Sequence, residues 1–480
     1  MNTELVKKSS SYINGSWVLS NKKISIKNPA DPKKYIKEIY FASPQDAKDS
    51  IVSASNAFKH WRIESIDKRI TLLKDLMRSL EKNRKSLAQL ITLENGKTIK
   101  ESEAEVDASI IEGNYQIDFL SRGLSEDSKN NKLLYEPLGV ALLITPWNFP
   151  LSTVVRKMIP ALACGNSVIL KPSEYSSLTS IFLFELIESI KFPNGVANLI
   201  LGEGSVIGPS LMDLSTLKII SFTGSTDTGE LLQKNIGSSG VRYQAEMGGA
   251  NALVIWEDAE IKEAVDAAIA SGMACAGQWC TGISKLVIHE KIYDHVIDRL
   301  VKCIKKIKVG DGYLASTSMG PLNNSDQFNK IQNYIMRAVK QGAEILIGGS
   351  PIKINEGAGY FFSPTLLGNI NERMEIASEE IFGPIINIFK TSDIESAVKF
   401  SNLGKYGLSF SIYTKNEKIA ETFIENIDAS LCHINLPTPY REASMPFTGW
   451  KKSGIGIPES GRFARDVFTK PKVVYMNKSN

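Results

Sequence analysis

Three side chains of this sequence could together carry out covalent chemistry on a carbonyl carbon. Cys280 lies in the segment Gly-Gln-Trp-Cys-Thr-Gly at 277–282, and Glu246 precedes it by 34 residues. Asn148 lies further upstream, in the segment Pro-Trp-Asn-Phe-Pro at 146–150. A thiol can act as nucleophile, a carboxylate as general base and a side-chain amide as oxyanion donor. No histidine stands beside Cys280 in the sequence, so a Cys/His hydrolase has no local support.

Length and charge limit the classes of function. A chain of 480 residues is too long for one core, so two or three packed units are expected. The net charge of +4 is small for this length, which argues against nucleic-acid binding. Residues 1–12 lack the apolar run of a signal peptide, and no stretch approaches the roughly 18 apolar residues that cross a membrane. We therefore expect neither a nucleic-acid partner nor a membrane.

Cysteine and histidine usage indicates a reducing compartment. The five cysteines are scattered, at 164, 275, 280, 303 and 432. An odd, dispersed set is typical of a cytoplasmic protein rather than a disulfide framework. The four histidines show no metal-ligand spacing with them, so no metal is expected. Apart from Cys280, we interpret the cysteines as buried structural thiols.

Periodic apolar residues predict an α/β protein. Leucine, isoleucine and methionine recur at three- and four-residue spacing from 65 to 95, which predicts one helix that stops at Asn95-Gly96. Further along, short apolar runs at 140–144, 167–170, 199–201, 218–222 and 252–256 alternate with helix-compatible segments at 151–163, 177–190, 206–214 and 227–236. Such alternation predicts a mainly parallel sheet with helices on both faces. A second alternation begins after about residue 250 and carries Cys280.

Polar residues follow two of these strands and predict a dinucleotide site. The run at 167–170 leads into Lys-Pro-Ser-Glu at 171–174, and the run at 218–222 leads into Thr-Gly-Ser-Thr at 223–226. Ligands bind such sheets at the carboxyl ends of the strands, and a helix amino terminus suits a pyrophosphate. Glu174 could accept hydrogen bonds from ribose hydroxyls, and Lys171 could donate to them. An ordinary loop and a simple helix cap at Ser225 are the alternatives.

These segments resemble the NAD(P)-dependent aldehyde dehydrogenase superfamily along essentially the whole chain. Besides the motifs around Asn148, Lys171, Ser225, Glu246 and Cys280, the matches are Tyr-Ile-Asn-Gly-x-Trp at 12–17, Glu-Glu-Ile-Phe-Gly-Pro at 379–384 and Pro-Phe-x-Gly-x-Lys-x-Ser-Gly at 446–454. Each alone is weak, but their common order and compatible spacing make the resemblance specific.

The resemblance implies a fold with three parts. A Rossmann-type cofactor domain would comprise residues 1–117 and 137–247, and an α/β catalytic domain would comprise residues 248–456. A small β oligomerisation element would comprise residues 118–136 and 457–480. It also implies a homodimer or homotetramer.

It further implies the roles of the site residues. Cys280 would be the nucleophile, Glu246 the general base and Asn148 the side-chain oxyanion donor. Lys157 matches a lysine of proton relays, with a surface helix lysine as the alternative. Lys470 stands where many relatives have a glutamate, which would leave such a relay without that carboxylate. Expected cofactor contacts are Trp147, Lys171, Ser173, Glu174, Gly224, Ser225, Glu380 and Phe382.

The substrate end of the site is less defined by its motifs. We expect Trp279, Thr281, Tyr440 and Arg441 to contact the substrate. Trp279 could narrow the acyl pocket, stack on an aromatic substrate or belong to the core. Arg441 could pair with the carboxylate of a semialdehyde acid or be an exposed loop residue. Thr281 and the run Asn-x-Pro-Thr at 435–438 look similar to relatives that act on ketoglutarate semialdehyde and sugar-acid intermediates.

The predicted activity is oxidation of an aldehyde to its carboxylic acid through a cysteine thiohemiacetal and thioester. Glu174 would repel a 2′-phosphate and so favours NAD, although Lys171 and Ser173 could accommodate NADP. Two other functions stay open. A coenzyme A-acylating dehydrogenase is disfavoured by Glu246, because such relatives typically lack a water-activating carboxylate. A catalytically silent binding or structural protein is disfavoured by the joint presence of Cys280, Glu246 and Asn148.

Overall fold

A computed structural model of the chain describes residues 5–128, 130–354 and 357–477. The strands are β1 (Ser11–Ile13), β2 (Ser16–Val18), β3 (Lys22–Asn28), β4 (Asp31–Phe41), β5 (Ser125–Ser128), β6 (Asn131–Pro137), β7 (Val140–Thr145), β8 (Ser167–Pro172), β9 (Ala197–Leu199), β10 (Leu217–Thr223), β11 (Arg242–Glu246), β12 (Asn251–Ile255), β13 (Ile283–His289), β14 (Glu344–Ile347), β15 (Thr365–Gly368), β16 (Ile385–Thr391), β17 (Tyr406–Gly407), β18 (Ser409–Tyr413), β19 (Leu431–Ile434), β20 (Trp450–Lys451), β21 (Gly454–Ile455) and β22 (Thr469–Tyr475). The helices are α1 (Pro44–Trp61), α2 (Ile66–Lys82), α3 (Arg84–Asn95), α4 (Ile99–Leu120), α5 (Ser152–Ala163), α6 (Ser177–Ser189), α7 (Gly204–Leu211), α8 (Thr226–Ile236), α9 (Ile261–Met273), α10 (Tyr293–Ile304), α11 (Ser325–Lys340), α12 (Ile394–Ser401), α13 (Glu417–Asn426) and α14 (Phe463–Phe468).

The first large sheet has the strand order β2-β1-β9-β8-β7-β10-β11-β21. Its central strands β9, β8, β7, β10 and β11 are parallel, while β1, β2 and β21 are antiparallel additions at the two edges. Buried residues of β7, β8 and β10 contribute to hydrophobic clusters on both faces of the sheet. The predicted parallel α/β architecture is therefore confirmed.

One element of the prediction is wrong. The expected single helix over 65–95 is two helices, α2 and α3, that meet at Asn83. The Asn83 side chain donates to the carbonyl oxygen of Ser79 and so offers the backbone an alternative to a continued helix. The leucine spacing continues across the break because both helices bury their apolar faces in one core. Gly96 ends α3 with a left-handed φ of 95°.

The second large sheet has the order β14-β15-β16-β13-β12-β18-β19, and all its neighbouring strands except β14 and β15 are parallel. It encloses a separate hydrophobic core. The chain passes from the first sheet to the second where β11 ends at Glu246 and β12 begins at Asn251. The segment before β13 carries Cys280, so the nucleophile candidate lies at the amino end of a strand beside this crossing.

A third sheet, of order β22-β6-β5, stands apart from the other two. Its strand β22 pairs antiparallel with β6 and exposes Val473 and Tyr475. Between Cys280 and β22 the chain returns to the first sheet, where β21 pairs with β11 at Glu246.

Two further observations bear on the sequence predictions. In the part of the chain that the structure describes, no helix is long and apolar enough to cross a membrane. The prediction of buried structural cysteines holds for Cys164 and Cys275, whereas Cys303 is only half-buried. It is wrong for Cys432, which is exposed. Cys432 lies on the edge strand β19, where alternate side chains point outward.

Candidate active site

A single cleft of about 1870 Å³ brings together the sequence-predicted residues. Those that line it are Trp147, Asn148, Lys171, Ser173, Glu174, Gly224, Ser225, Glu246, Trp279, Cys280, Thr281, Glu380, Phe382, Tyr440 and Arg441. Lys157 is the exception, because it is fully buried behind the residues that line the cleft. The cleft runs from the carboxyl ends of the first sheet past the crossing to the loop before β20.

The crossing between the sheets holds the Cys280 main chain. The absence of side chains at Gly248 and Gly249 lets other groups pack closely against the crossing. A Cβ atom at Gly249, for example, would clash with the Cys280 carbonyl oxygen. Asn251, the first residue of β12, donates to the carbonyl oxygens of Cys280 at 2.7 Å and Gly282 at 2.8 Å. Sequence reasoning missed Asn251, and only its place two residues after Gly249 hinted at a role.

A strained turn precedes Cys280. Cys275, Ala276 and Gly277 all have positive φ, of 52°, 53° and 68°. Left-handed conformations cost free energy for residues with a Cβ and persist where the surroundings enforce them. A Cβ at Gly277 would clash with the carbonyl oxygen of Gly383. The turn leaves Cys280 half-buried in the wall of the cleft.

The surroundings of Cys280 favour its thiol over its thiolate. Burial raises its pKa to about 12, although the positive charge of Arg156 acts in the opposite direction. The negative charges of Glu380 and Glu246 raise it further, and the Thr281 backbone N–H opposes them. A thiolate must therefore be formed during the reaction by loss of the proton to a base.

Glu246 is a buried carboxyl without a strong partner. Burial raises its pKa well above the usual range, and the negative charge of Glu459 adds to that effect. Lys157 and Arg156 act in the opposite direction. Among the described residues, no hydrogen-bond partner reaches the Oε2 atom of Glu246. A carboxyl with a raised pKa that lines a cleft can accept and return a proton near neutral pH.

The Asn148 amide points toward the cysteine segment. Its Nδ2 atom donates to the carbonyl oxygen of Gln278, two residues before Cys280, at 3.1 Å. Asn95 donates to the neighbouring carbonyl oxygen of Trp147 at 2.8 Å. Nδ2 of Asn148 is thus already oriented as a donor near the nucleophile, as an oxyanion site requires.

Lys157 is buried rather than on the surface, so the surface alternative is wrong. Its ammonium group pairs with Glu459 at 2.8 Å and also donates to Ser221 and Gln244. Burial lowers the Lys157 pKa, and Glu459 opposes that shift. Although burial acts to raise the pKa of Glu459, Lys157 and Arg156 hold it below the usual range.

The sequence predicted that a relay through Lys157 would lack a carboxylate, but the structure places Glu459 beside Lys157. Lys470 lies on β22 opposite Glu136, in the third sheet. Glu459 supplies the charge instead, from the segment between β21 and α14. It is 302 residues from Lys157 in sequence, so local patterns could not reveal the pair.

At the other end of the cleft, Lys171 and Glu174 form an ion pair of 3.6 Å. Burial lowers the Lys171 pKa, while Glu174 and Glu203 act to raise it. Ser225 is the N-cap of α8, and its side chain accepts a hydrogen bond from the Thr228 N–H. Ser225 therefore does cap the helix, as the alternative prediction stated. The amino end of α8 still opens into the cleft beside Ser225.

Glu380 and Phe382 lie between these two ends. Glu380 accepts from the Gly249 N–H at 3.1 Å, and a Cβ at Gly248 would occupy the place of its carboxylate. Phe382 has a left-handed φ of 59° and contacts Trp147 edge to face, with 5.5 Å between ring centroids. The two residues thus present a carboxylate and an aromatic face directly beside the Glu246 crossing.

The wall next to Cys280 is aromatic. Trp279 is half-buried and packs on Phe149 with ring centroids 4.8 Å apart, so it lines the cleft rather than belonging to the core. Thr281 is buried, and its carbonyl oxygen accepts from Thr438 at 2.7 Å. The bulky pair of rings narrows the acyl end of the cleft.

Basic residues line the mouth of the cleft. Arg441 is 27% exposed and pairs with Glu112 at 2.8 Å, while the neighbouring Tyr440 is exposed. Arg156, which the sequence did not single out, pairs with Glu459 at 3.1 Å. The two guanidinium groups both contact the Phe447 ring, at 4.8 Å for Arg156 and 5.2 Å for Arg441. The only sequence feature that could have drawn attention to Arg156 is its place directly before Lys157.

Comparison with known proteins identifies relatives over nearly the full chain. Residues 17–474 match the model of a family described as the aldehyde dehydrogenase family. The chain is 33% identical to the alpha-ketoglutaric semialdehyde dehydrogenase of Bacillus subtilis, covering 97% of each chain. It is 34% identical to the 2,5-dioxopentanoate dehydrogenase of Saccharolobus solfataricus, covering 93% of this chain and 95% of that one.

A solved structure has the same fold. The crystal structure of betaine aldehyde dehydrogenase from Staphylococcus aureus in complex with NAD+ superposes with a TM-score of 0.94 at 34% identity, covering 98% of this chain and 96% of that one.

The pKa of Cys280 predicts how its alkylation depends on pH. With a value of about 12, the thiolate fraction, and hence the rate of carboxamidomethylation by iodoacetamide, should rise about tenfold per pH unit from pH 6 to 9. Arg156→Gln removes the nearby positive charge and should slow alkylation roughly threefold or more at every pH. Arg337→Gln, an exposed arginine outside the cleft, is the matched control. Peptide mass spectrometry that shows a plateau below pH 9 would contradict the assignment.

Proposed function

The chain belongs to the aldehyde dehydrogenase family, and we propose that it oxidises an aldehyde to the corresponding carboxylic acid at Cys280, with hydrolysis assisted by Glu246. The observation that carries this proposal is the convergence of three groups on one cleft. The thiol of Cys280, the carboxyl of Glu246 and the amide of Asn148 come from separate elements and line the cleft at the crossing between the sheets, and Oε2 of Glu246 has no hydrogen-bond partner among the described residues.

In the first half-reaction the Cys280 sulfur attacks the aldehyde carbon. The thiol proton passes to Glu246, and the carbonyl π electrons move to oxygen to give a tetrahedral oxyanion. The Asn148 amide donates to that oxyanion, an interaction worth about 3–4 kcal/mol in comparable sites. Collapse of the thiohemiacetal expels hydride and leaves a thioester on Cys280. When bound, the nicotinamide cofactor supplies the hydride acceptor.

In the second half-reaction Glu246 removes a proton from water that attacks the thioester carbon. The C–S bond breaks, Cys280 regains a proton and the carboxylic acid leaves. A raised pKa suits Glu246 to both halves, because the carboxyl must accept a proton and release it again. Lys157 donates to Gln244, two residues before Glu246, and pairs with Glu459, so these groups offer a path by which that proton leaves the site.

The other end of the cleft fits a dinucleotide. We propose that Lys171, Ser173 and Glu174 contact the adenosine ribose, and that Gly224 and Ser225 contact the pyrophosphate at the amino end of α8. Glu380, Phe382 and Trp147 would hold the nicotinamide ribose and ring. Glu174 and Glu203 both act to raise the pKa of Lys171, so both carboxylates lie near it. A 2′-phosphate bound beside Lys171 would be repelled by these two negative charges. This charge arrangement favours NAD over NADP, and the related S. aureus structure contains NAD+.

We propose a substrate that carries a carboxylate, such as a semialdehyde acid. Arg156 and Arg441 bring two positive charges to the mouth, and Lys157 adds a third behind the wall. Two carboxylates pair with these three cations, Glu459 with Arg156 and Lys157 and Glu112 with Arg441, so one positive charge is in excess. Burial raises the pKa of Glu246, which disfavours a further negative charge beside them. The mouth therefore favours an anion and disfavours a cationic aldehyde. Relatives named for alpha-ketoglutaric semialdehyde and 2,5-dioxopentanoate support this class.

The domain division and assembly implied by the resemblance stay proposals. We propose that the first sheet forms the cofactor domain, the second sheet the catalytic domain, and the third sheet a contact between copies in a homodimer or homotetramer. The exposed Val473 and Tyr475 on β22 support that contact. Free thiols at all five cysteines are consistent with a cytoplasmic location. A sedimentation-velocity mass of a single chain would contradict the proposed assembly.

The proposed activity can be separated from its alternatives in one assay. Formation of reduced nicotinamide should be followed with NAD+ and NADP+ against aliphatic, aromatic, hydroxylated and carboxyl-bearing aldehydes, each with and without coenzyme A. We expect turnover without coenzyme A, with NAD+ preferred. An absolute requirement for coenzyme A would indicate acyl transfer instead of hydrolysis. No reduction with any aldehyde would indicate a catalytically silent protein.

The charge at the mouth predicts substrate selectivity. Arg441→Gln should raise KM for 2,5-dioxopentanoate about tenfold, the range for loss of one charge-assisted hydrogen bond, and change KM for uncharged pentanal less than about twofold. Glu112→Gln releases Arg441 from its partner and should lower KM for the anion. Arg337→Gln serves as the control outside the cleft. Equal effects of Arg441→Gln on both aldehydes would contradict recognition of the carboxylate.

A further inference from the structure

Lys97 is a fully buried cation directly behind the Asn148 segment. Its ammonium group donates to the backbone carbonyl oxygen of Asn148 at 2.6 Å and pairs with Glu105 at 2.7 Å, and both side chains of the pair are completely buried. The same ammonium lies 4.0 Å from the centroid of the Phe149 ring. The resemblance noted from the sequence gave Lys97 no role, and the proposed chemistry does not use it.

Glu105 connects this cation to the helix that carries Arg156 and Lys157. Its Oε1 atom accepts the backbone N–H groups of Leu151 at 2.9 Å and Ser152 at 3.2 Å. These N–H groups lie at the amino end of α5, where no side chain of α5 itself forms a cap. A carboxylate at this end also interacts favourably with the helix dipole. The pair Lys97–Glu105 therefore fixes the chain from Asn148 to Ser152.

Lys97 itself is held by close backbone packing. A Cβ at Gly312 would clash with the Lys97 carbonyl oxygen, and a Cβ at Gly320 would clash with that of Gly96. Asn95, two residues before Lys97, donates to the carbonyl oxygen of Trp147. Two side chains of the tightly packed segment 95–97 thus donate hydrogen bonds to two successive carbonyl oxygens, those of Trp147 and Asn148.

This arrangement sets the position of two walls of the site. The Asn148 side chain is the oxyanion donor of the proposed reaction, and the Phe149 ring packs on Trp279, next to Cys280. Burying an ion pair costs desolvation free energy, so the pair adds little to the stability of the fold. Its contribution is the geometry that it enforces on the chain around Asn148. A donor displaced by about 1 Å can cost about a hundredfold in rate.

We propose that Lys97 is a positioning residue for the oxidation at Cys280. Through its hydrogen bond to the Asn148 carbonyl oxygen and its contact with the Phe149 ring, it fixes the main chain from which the Asn148 amide reaches the oxyanion. The inference rests on the proposed function of this site. It predicts that the Lys97 contribution to catalysis is expressed through the Asn148 side chain.

A double-mutant cycle tests this dependence. Lys97→Met keeps the stem and removes the ammonium, and should lower kcat about tenfold to a hundredfold while KM and the Kd for NAD+ change less than about threefold. In an Asn148→Ala background the same change should lower kcat less than about threefold, because no amide is left to position. Equal losses in both backgrounds, or no loss in the wild-type background, would overturn the proposal.

Lys285→Met is the matched control. Lys285 is also fully buried and donates to two backbone carbonyl oxygens, those of Ser401 and Leu403, but it lies in the second sheet outside the cleft. Its kcat should stay within about twofold of the wild-type value. If neither wild type nor Lys285→Met oxidises any aldehyde, the proposed function is wrong, and the inference that rests on it is wrong as well. Failure of the cycle alone overturns only the role of Lys97.

Should Lys97→Met not fold, the variant Lys97→Met/Glu105→Gln carries the same test. It removes both buried charges together and keeps an amide oxygen for the N–H groups of Leu151 and Ser152. The same pattern of kcat loss, large with Asn148 and small without it, is expected. Additive losses would again overturn the proposal.

Discussion

The short link between Glu246 and Asn251 is the constraint on which the rest of the site depends. It joins the last parallel strand of one sheet to the first strand of the other, so it decides where the two halves meet. Gly248 and Gly249 let the Glu380 carboxylate and the Cys280 carbonyl oxygen approach the link. Asn251 then binds the carbonyl oxygens on both sides of Thr281. Glu246, the glycine that admits the Glu380 carboxylate and the anchor of the Cys280 main chain thus share six residues of chain, 246–251.

Burial of charge gives the site its resting state. The Cys280 thiol and the Glu246 carboxyl are both favoured in their neutral forms, because each would lose solvation on ionising. The cations around them are held by carboxylates of their own, Lys97 by Glu105 and Lys157 by Glu459. In the proposed mechanism Glu246 loses its proton before it accepts the one from Cys280, and this transfer would take place within a preorganised field that needs little rearrangement. The buried pairs add precision of geometry more than stability.

Sequence patterns predicted the parts of this structure that depend on local order. Alternating apolar runs predicted the first sheet, and the polar residues after β8 and β10 do line one cleft, because carboxyl ends of parallel strands meet at one edge. The helix break at Asn83 escaped detection, since the apolar spacing continues across it. Glu459 was missed because its partner Lys157 is distant in sequence, and Lys470 drew attention to the wrong carboxylate position. Arg156 and Asn251 carry only a weak local signal, their places beside Lys157 and after the paired glycines, and their contacts exist only once the sheets have met.

The most direct measurement is the mass of the protein after reaction of the Glu246→Gln variant with NAD+ and an aldehyde that wild type oxidises. At pH 9 solvent hydroxide can take the Cys280 thiol proton in place of Glu246, so the thioester should form slowly. It should then accumulate, because no carboxylate activates the hydrolytic water, with one equivalent of reduced cofactor formed per site. The account predicts a mass increase equal to that of the aldehyde minus two hydrogens, on one site per chain, located at Cys280 by peptide mapping. Continued turnover by this variant, or an acyl group on any other residue, would contradict it.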